Sequence, residues 1–274
     1  SQGGALAPSN PDWTADLPVD WDSDLPVLTT GSNIAIVSLA NCFCRLVKVT
    51  ASTSQTFLVS VHATDWCVII NGTNNSSARA VRNVFPITNC YLGCTGAAYL
   101  CVAEIGENMT GALDNVAAIG ASGSSGTRRG IVVSAFGPAA SVSRCLAISG
   151  NESIYVTGGD SVTLIRKCVA RSVNSSGIVV ARGSASMIRS VIQQNVITGC
   201  GAYGVDFQTS FPPVLLYNRA RNNVSGNFNG TGNYPTTLGN ITMAGTDADE
   251  FVDAVNGDFR IKYGSSLWGQ GLGV

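Results

Sequence analysis

The chain has 274 residues, with sixteen Lys and Arg against seventeen Asp and Glu, and thirty-one Gly. Charged residues are 12% of it, about half the usual share of roughly 25%, and mean hydropathy is +0.23. These values exclude a disordered polyelectrolyte and argue against a helical bundle, whose outer faces are rich in Glu, Lys and Arg.

Residues 1–33 are predicted to form an extended arm. Asp12-Trp-Thr-Ala-Asp-Leu-Pro-Val19 is followed directly by Asp20-Trp-Asp-Ser-Asp-Leu-Pro-Val27, a tandem duplication. Pro18 and Pro26 bias the residues before them towards extended geometry. Trp13, Leu17, Trp21 and Leu25 are the docking candidates, either on the first coil of their own chain or on a neighbouring protein. The five Asp of the arm do not match an EF-hand loop. The first ten residues show neither a basic start nor an apolar stretch, so no signal peptide is expected. No apolar run is long enough to span a membrane.

From residue 34 onward one kind of segment recurs. Its central residues are Cys42, Cys67, Cys90, Asn115, Cys145, Cys168, Asn195 and Asn218, at steps of 25, 23, 25, 30, 23, 27 and 23. Short β-prone runs accompany it: Gly130-Ile-Val-Val133, Ser153-Ile-Tyr-Val156, Gly177-Ile-Val-Val180 and Gly204-Val-Asp-Phe207. Runs of three to six residues are too short for helices, and Gly, Ser and Asn separate them. Such a period predicts an all-β, single-stranded parallel β-helix of about eight coils over residues 34–244. Equivalent residues then stack into ladders about 4.8 Å apart. The eight central residues form one structural ladder. Cys neighbours in register have poor disulfide geometry, so buried reduced thiols are expected. A single histidine, His62, offers no partner for a zinc site, and its role stays open.

The run Ser161-Val-Thr-Leu-Ile-Arg-Lys-Cys-Val-Ala-Arg-Ser-Val-Asn-Ser-Ser-Gly-Ile-Val-Val180 resembles the repeat of right-handed parallel β-helix proteins of the pectate-lyase-like superfamily, most like phage-associated structural members. In that repeat an Asn often stands at the position of Cys168, and Asn195 keeps it. Residues 245–274, with Phe251-Val-Asp-Ala-Val-Asn-Gly-Asp-Phe-Arg-Ile-Lys-Tyr-Gly-Ser265, are similar to the segment that often closes such helices. The resemblance implies a right-handed helix with a C-terminal cap. It also raises polysaccharide cleavage as an activity.

Glycoside hydrolysis needs two carboxylates about 5–9.5 Å apart. The coil acids Asp65, Glu104, Glu107, Asp114, Glu152, Asp160 and Asp206 provide no two at matching positions of adjacent coils. Asp206 is expected to face outward alone. Asp247, Asp249, Glu250 and Asp253 cluster in the closing segment. Arg260-Ile261-Lys262 resembles a polygalacturonase tripeptide but lacks that family's other motifs. No catalytic residue, metal or cofactor is therefore assigned. Nine Asn-X-Ser/Thr sequons, among them Asn71, Asn174 and Asn240, are weak support for secretion in a chain this rich in Asn, Ser and Thr.

Charge is segregated. Five acids lie in residues 12–24 and five in 247–258, while fourteen of the sixteen basic residues lie between, so the coils carry a net +7. Aromatics do not interleave with the basic residues, and neither nucleic acid nor a membrane is expected as partner. The expected function is a non-enzymatic virion structural protein, a capsid decoration or fibre-like subunit. Its arm would attach it to other virion proteins, and a homo-oligomer, for instance a trimer, is expected. The alternative is a carbohydrate-binding or polysaccharide-degrading β-helix, tailspike-like or secreted, with a glycan as partner.

Overall fold

The computed structural model describes the strands from Val27 onward and, with side chains, most of residues 68–268. Residues 1–26 and 269–274, the segments between the strands up to residue 67, and residues 73, 84–85, 107–110, 122–126, 135–138, 158–161, 182–188, 209–212, 231–236 and 255–257 lie outside that description. The architecture is an all-β parallel solenoid with almost no helix. Three sheets run its length. Sheet A holds ten strands, from Val27–Thr30 to Ile241–Thr242. Sheet B holds nine, from Ile34–Val37 to Gly226–Gly230. Sheet C holds nine, from Phe43–Arg45 to Thr237–Leu238. Every pairing within them is parallel and in register, each strand meeting its equivalent one turn away, as in Leu146↔Val169 and Ile154↔Ile178.

Strand length and alternation explain the core. In a strand successive side chains point to opposite faces. In sheet A the inward position is Ile69, Leu92, Ala118, Ala147, Ala170, Ile197 and Ala220, all buried. Sheet B contributes Val81, Ala103, Ile131, Ile154, Ile178 and Val205, and sheet C contributes Ile87, Leu113, Val142, Ile165, Ile192 and Leu215. β-Branched and small residues therefore fill a narrow interior whose wall is one strand thick.

The corner from sheet C to sheet A has a fixed form. From Asn89 onward it is two residues long in every turn. The first is left-handed: Asn89, Asn115, Arg144, Lys167, Gln194 and Tyr217 have φ of 52–55°, and Gly239 has 66°. The second points inward. The other two corners are longer and vary from turn to turn.

After the last turn the chain makes a four-residue helix, Asp247–Glu250, and an antiparallel pair, Phe251–Asp253 with Asp258–Ile261. This segment lies along the outside of sheet A. Phe251, Ala254, Phe259 and Leu267 form a second apolar cluster with Leu146, Val169 and Val196, the outward residues of three successive strands. Phe251 and Phe259 meet edge to face at 5.1 Å between ring centres.

Candidate functional site

The ladder was the main sequence-derived site, and the structure shows what it does. Asn195, Asn218 and Asn240 occupy the inward corner position in consecutive turns. The Nδ2 of each donates to a sheet C carbonyl one turn back: Ile165 at 3.1 Å, Ile192 at 2.8 Å and Leu215 at 2.9 Å. The Oδ1 of each accepts from the turn before. Asn218 Oδ1 takes the Asn195 backbone N–H at 3.1 Å and its Nδ2 at 3.0 Å. Asn240 does the same for Asn218, at 2.9 and 2.8 Å.

Cys168 and Cys145 hold the same slot. Their thiols lie 3.5 Å from Val142 O and 3.7 Å from Leu113 O, the register equivalents of Ile165 O. Each also lies close to the carbonyl two residues earlier, Cys168 at 3.2 Å from Arg166 and Cys145 at 3.1 Å from Ser143. Cys90 repeats the latter contact with Thr88 at 3.0 Å. The column thus unites Cys90, Cys145, Cys168, Asn195 and Asn218. It does not include Asn115, which sits one residue early, at the left-handed position, and donates to Asn89 Oδ1 at 2.8 Å. Val116, 1% exposed, takes the inward place there. Sequence inspection missed it because an Asn in the neighbouring left-handed position imitates the ladder residue. Cys42 and Cys67, like His62 and the arm residues Trp13, Leu17, Trp21 and Leu25, lie outside the described residues.

The thiols are chemically quiet. Cys90, Cys94, Cys101, Cys145, Cys168 and Cys200 are all free and buried. Burial pushes Cys101 and Cys200 up to about 12 and raises Cys94 and Cys145 far above an ordinary thiol. A thiol held protonated is a poor nucleophile and a poor metal ligand. Among the described residues no cluster of three or more His, Cys, Asp or Glu is placed to hold a metal ion.

The outer face of sheet B carries a column that is polar at both ends and apolar at Val132 and Val179: Arg82, Glu104, Val132, Tyr155, Val179, Asp206 and Asn229 in successive turns. Glu104 is engaged by Arg79 and by Arg82 at 3.3 Å. Asp206, 8% exposed, accepts from Asn229 Nδ2 at 2.7 Å and Gln208 Nε2 at 2.9 Å. Four strand steps separate the two carboxylates, roughly 19 Å, too far for a hydrolytic pair. Arg129 pairs with Glu152 at 3.0 Å and stacks on the Tyr155 ring at 3.5 Å.

The seam between sheet A and the C-terminal segment is the most elaborated polar site. Arg221, 1% exposed, lies 2.9 Å from Asp247 and 3.8 Å from Glu250, with the Phe251 ring 5.9 Å away. Thr198 donates to Asp247 at 2.5 Å. Glu250 accepts the Leu267 N–H at 3.1 Å and the Ser266 hydroxyl. Arg171 reaches the Ala254 carbonyl at 3.1 Å. Thr246 donates its N–H and hydroxyl to Asp249, which lowers that carboxyl's pKa. Beside this seam lies a pocket of ≈ 160 Å³ lined by Arg171, Asp247, Val252, Asp253 and Lys262 among others. Next to it in sequence, Tyr263 (87% exposed) and Trp268 (52% exposed) form an edge-to-face pair with ring centres 5.0 Å apart.

No family model, curated protein or solved structure matches this chain.

Proposed function

We propose that the protein is a non-enzymatic structural subunit of a larger assembly, joined to its neighbours at the N-terminal end of the solenoid. A phage virion, as capsid decoration or fibre-like part, is the setting the sequence reading favours. Within that reading the solenoid belongs with the right-handed helices of the pectate-lyase-like superfamily. The observation that carries it is the contrast between the two ends. At the C-terminal end, sheets A and C finish in two-residue strands, and sheet B finishes in Gly-Asn-Phe-Asn-Gly. Short, polar terminal strands are how β-proteins protect an edge from further pairing. At the other end the first strands are more apolar, and in sheets A and C longer: Val-Leu-Thr-Thr, Ile-Ala-Ile-Val and Phe-Cys-Arg. No described strand pairs with their outer edges. An edge of that kind is a template for another chain.

The test is solution mass across a concentration series. The full chain is expected to self-associate. Ala35→Pro, in the middle of the first strand of sheet B, is expected to return it to monomer while far-UV circular dichroism stays β-rich. A full chain that stays monomeric throughout, or that releases unsaturated or reducing ends from polysaccharides, refutes the proposal.

A second reading, glycan binding without cleavage, is favoured by the exposed Tyr263–Trp268 pair, since exposed aromatic rings suit the apolar face of a sugar. Glycan-array binding that is lost in Trp268→Ala supports it, and a blank array rejects it.

A further inference from the structure

Three polar residues face outward from sheet A in successive turns beneath the C-terminal segment: Arg171, Thr198 and Arg221. Arg171 follows Ala170, which pairs with Ile197, and Thr198 pairs with Arg221. Two strand steps, roughly 10 Å, separate the two arginines along this column. The C-terminal segment serves them differently. To Arg221 it brings a carboxylate, Asp247, whose Oδ1 also takes the Thr198 hydroxyl. To Arg171 it brings only the Ala254 carbonyl, at 3.1 Å, and the Phe259 ring, 5.8 Å away. Among the described residues no carboxylate lies within ion-pair distance of Arg171. Lys262 repeats the pattern. Its Nζ donates to the Ala248 carbonyl at 2.7 Å, and it makes no ion pair among those residues either.

Both cations line the cavity of ≈ 160 Å³ beside the seam. Ala248, Val252 and Ala254 give that cavity an apolar wall. Of its two acids, Asp247 is matched by Arg221, which leaves Asp253. A half-buried guanidinium held only by a carbonyl recovers less of its lost hydration than one held by a carboxylate. Arg171 spends one N–H on Ala254, and its planar fork suits a carboxylate.

We propose that this cavity binds a small carboxylate with a short aliphatic body. The carboxylate sits on Arg171 and Lys262, and the body lies against Val252 and its neighbouring alanines. The ligand does for Arg171 what Asp247 does for Arg221. An inorganic anion lacks the body that the apolar wall accepts, and an alcohol or amine of the same length lacks the charge. Asp253 opposes any anion placed there and so limits the affinity. The site is independent of the joint proposed at the N-terminal edge and of the Tyr263–Trp268 pair, since it shares no residue with either.

The test is titration of the full chain with sodium butyrate at constant ionic strength, followed by saturation-transfer NMR on the ligand and amide shifts on the labelled protein. Saturable binding at one site is expected, with the largest shifts at Val252 and Ala254. Butanol, butylammonium and inorganic phosphate are expected not to bind comparably. Lys262→Gln, at an exposed side chain, is expected to weaken binding about five-fold and Arg171→Gln about ten-fold, whereas Asp253→Asn strengthens it several-fold. Arg171→Gln also removes the contact with Ala254, so Lys262→Gln and Asp253→Asn decide the matter if hydrogen exchange over residues 251–261 shows that it loosens the segment. No saturable butyrate binding, equal binding of phosphate, shifts remote from the cavity, or an affinity indifferent to Lys262→Gln and Asp253→Asn each overturns the proposal.

Discussion

At the residue scale, one position decides how the turns are held together. Asn and Cys are interchangeable in the inward corner because both aim a donor at the same carbonyl one turn back. They are not equivalent, since the amide also accepts from the preceding turn and the thiol does so poorly. Asn218→Leu is accordingly expected to cost about 2–4 kcal/mol, because it strands the Asn195 amide donors and the Ile192 carbonyl in the interior. Cys168→Asn is expected to be neutral or stabilising, since Val142 O already waits 3.5 Å from the sulfur. Denaturant melts of the two variants check both directions. The same burial predicts that none of the six described thiols reacts with iodoacetamide at pH 8 in the folded protein, and that all six react once it is unfolded. Peptide mapping before and after denaturant, which separates these six from Cys42, Cys44 and Cys67, reads this directly, and fast labelling of Cys145 or Cys168 in the native state contradicts it. The left-handed residue just before the ladder position makes a further prediction. Lys167, at φ 53°, holds a conformation that costs non-Gly residues roughly 1–2 kcal/mol and that Asn tolerates better. Lys167→Asn should raise stability, as Asn89 and Asn115 at the same corner illustrate.

At the scale of elements, the strands were the legible part of the sequence. Gly130-Ile-Val-Val133, Ser153-Ile-Tyr-Val156, Gly177-Ile-Val-Val180 and Gly204-Val-Asp-Phe207 each contain or overlap a strand of sheet B, and Val179 and Tyr155 pair through the column to Asp206 as their spacing implied. Period and apolar content suffice there because each strand meets its own equivalent. The register at Asn115 was not legible, because Asn suits both a left-handed turn and an amide ladder, and only the backbone distinguishes them. The seam with the C-terminal segment was not legible either. Its partners are far apart in sequence, as Arg171 and Ala254 are, and no periodicity links them. Arg221 is central to that seam. Arg221→Ala leaves Asp247 and Glu250 without their cation in a buried setting, and breaking such a pair costs about 3–5 kcal/mol. Faster hydrogen exchange across residues 251–261, with the solenoid strands unchanged, is the expected readout. Uniform loss of protection throughout would mean that the segment and the solenoid unfold together.

At the scale of the whole molecule, the structure gives the composition its meaning. Low charge and many Gly, Ser and Asn belong to a wall one strand thick, whose inner surface is apolar and whose corners are tight. Near-neutral net charge conceals a basic body between two acidic ends. A solenoid of this kind is quasi-one-dimensional, each turn touching only its neighbours, so its stability approximates a sum of local contacts. The C-terminal segment departs from that rule, because it binds residues of five successive sheet A strands at once, from Ile119 to Arg221. A chain pulled by its C-terminus must therefore lose this strap before any turn can unwind. In an optical trap, one early high-force rupture should precede a ladder of smaller, evenly sized steps, and Arg221→Ala should erase the first event alone. The strap would then act as a latch against unravelling under load, a mechanical property that equilibrium melting would not reveal.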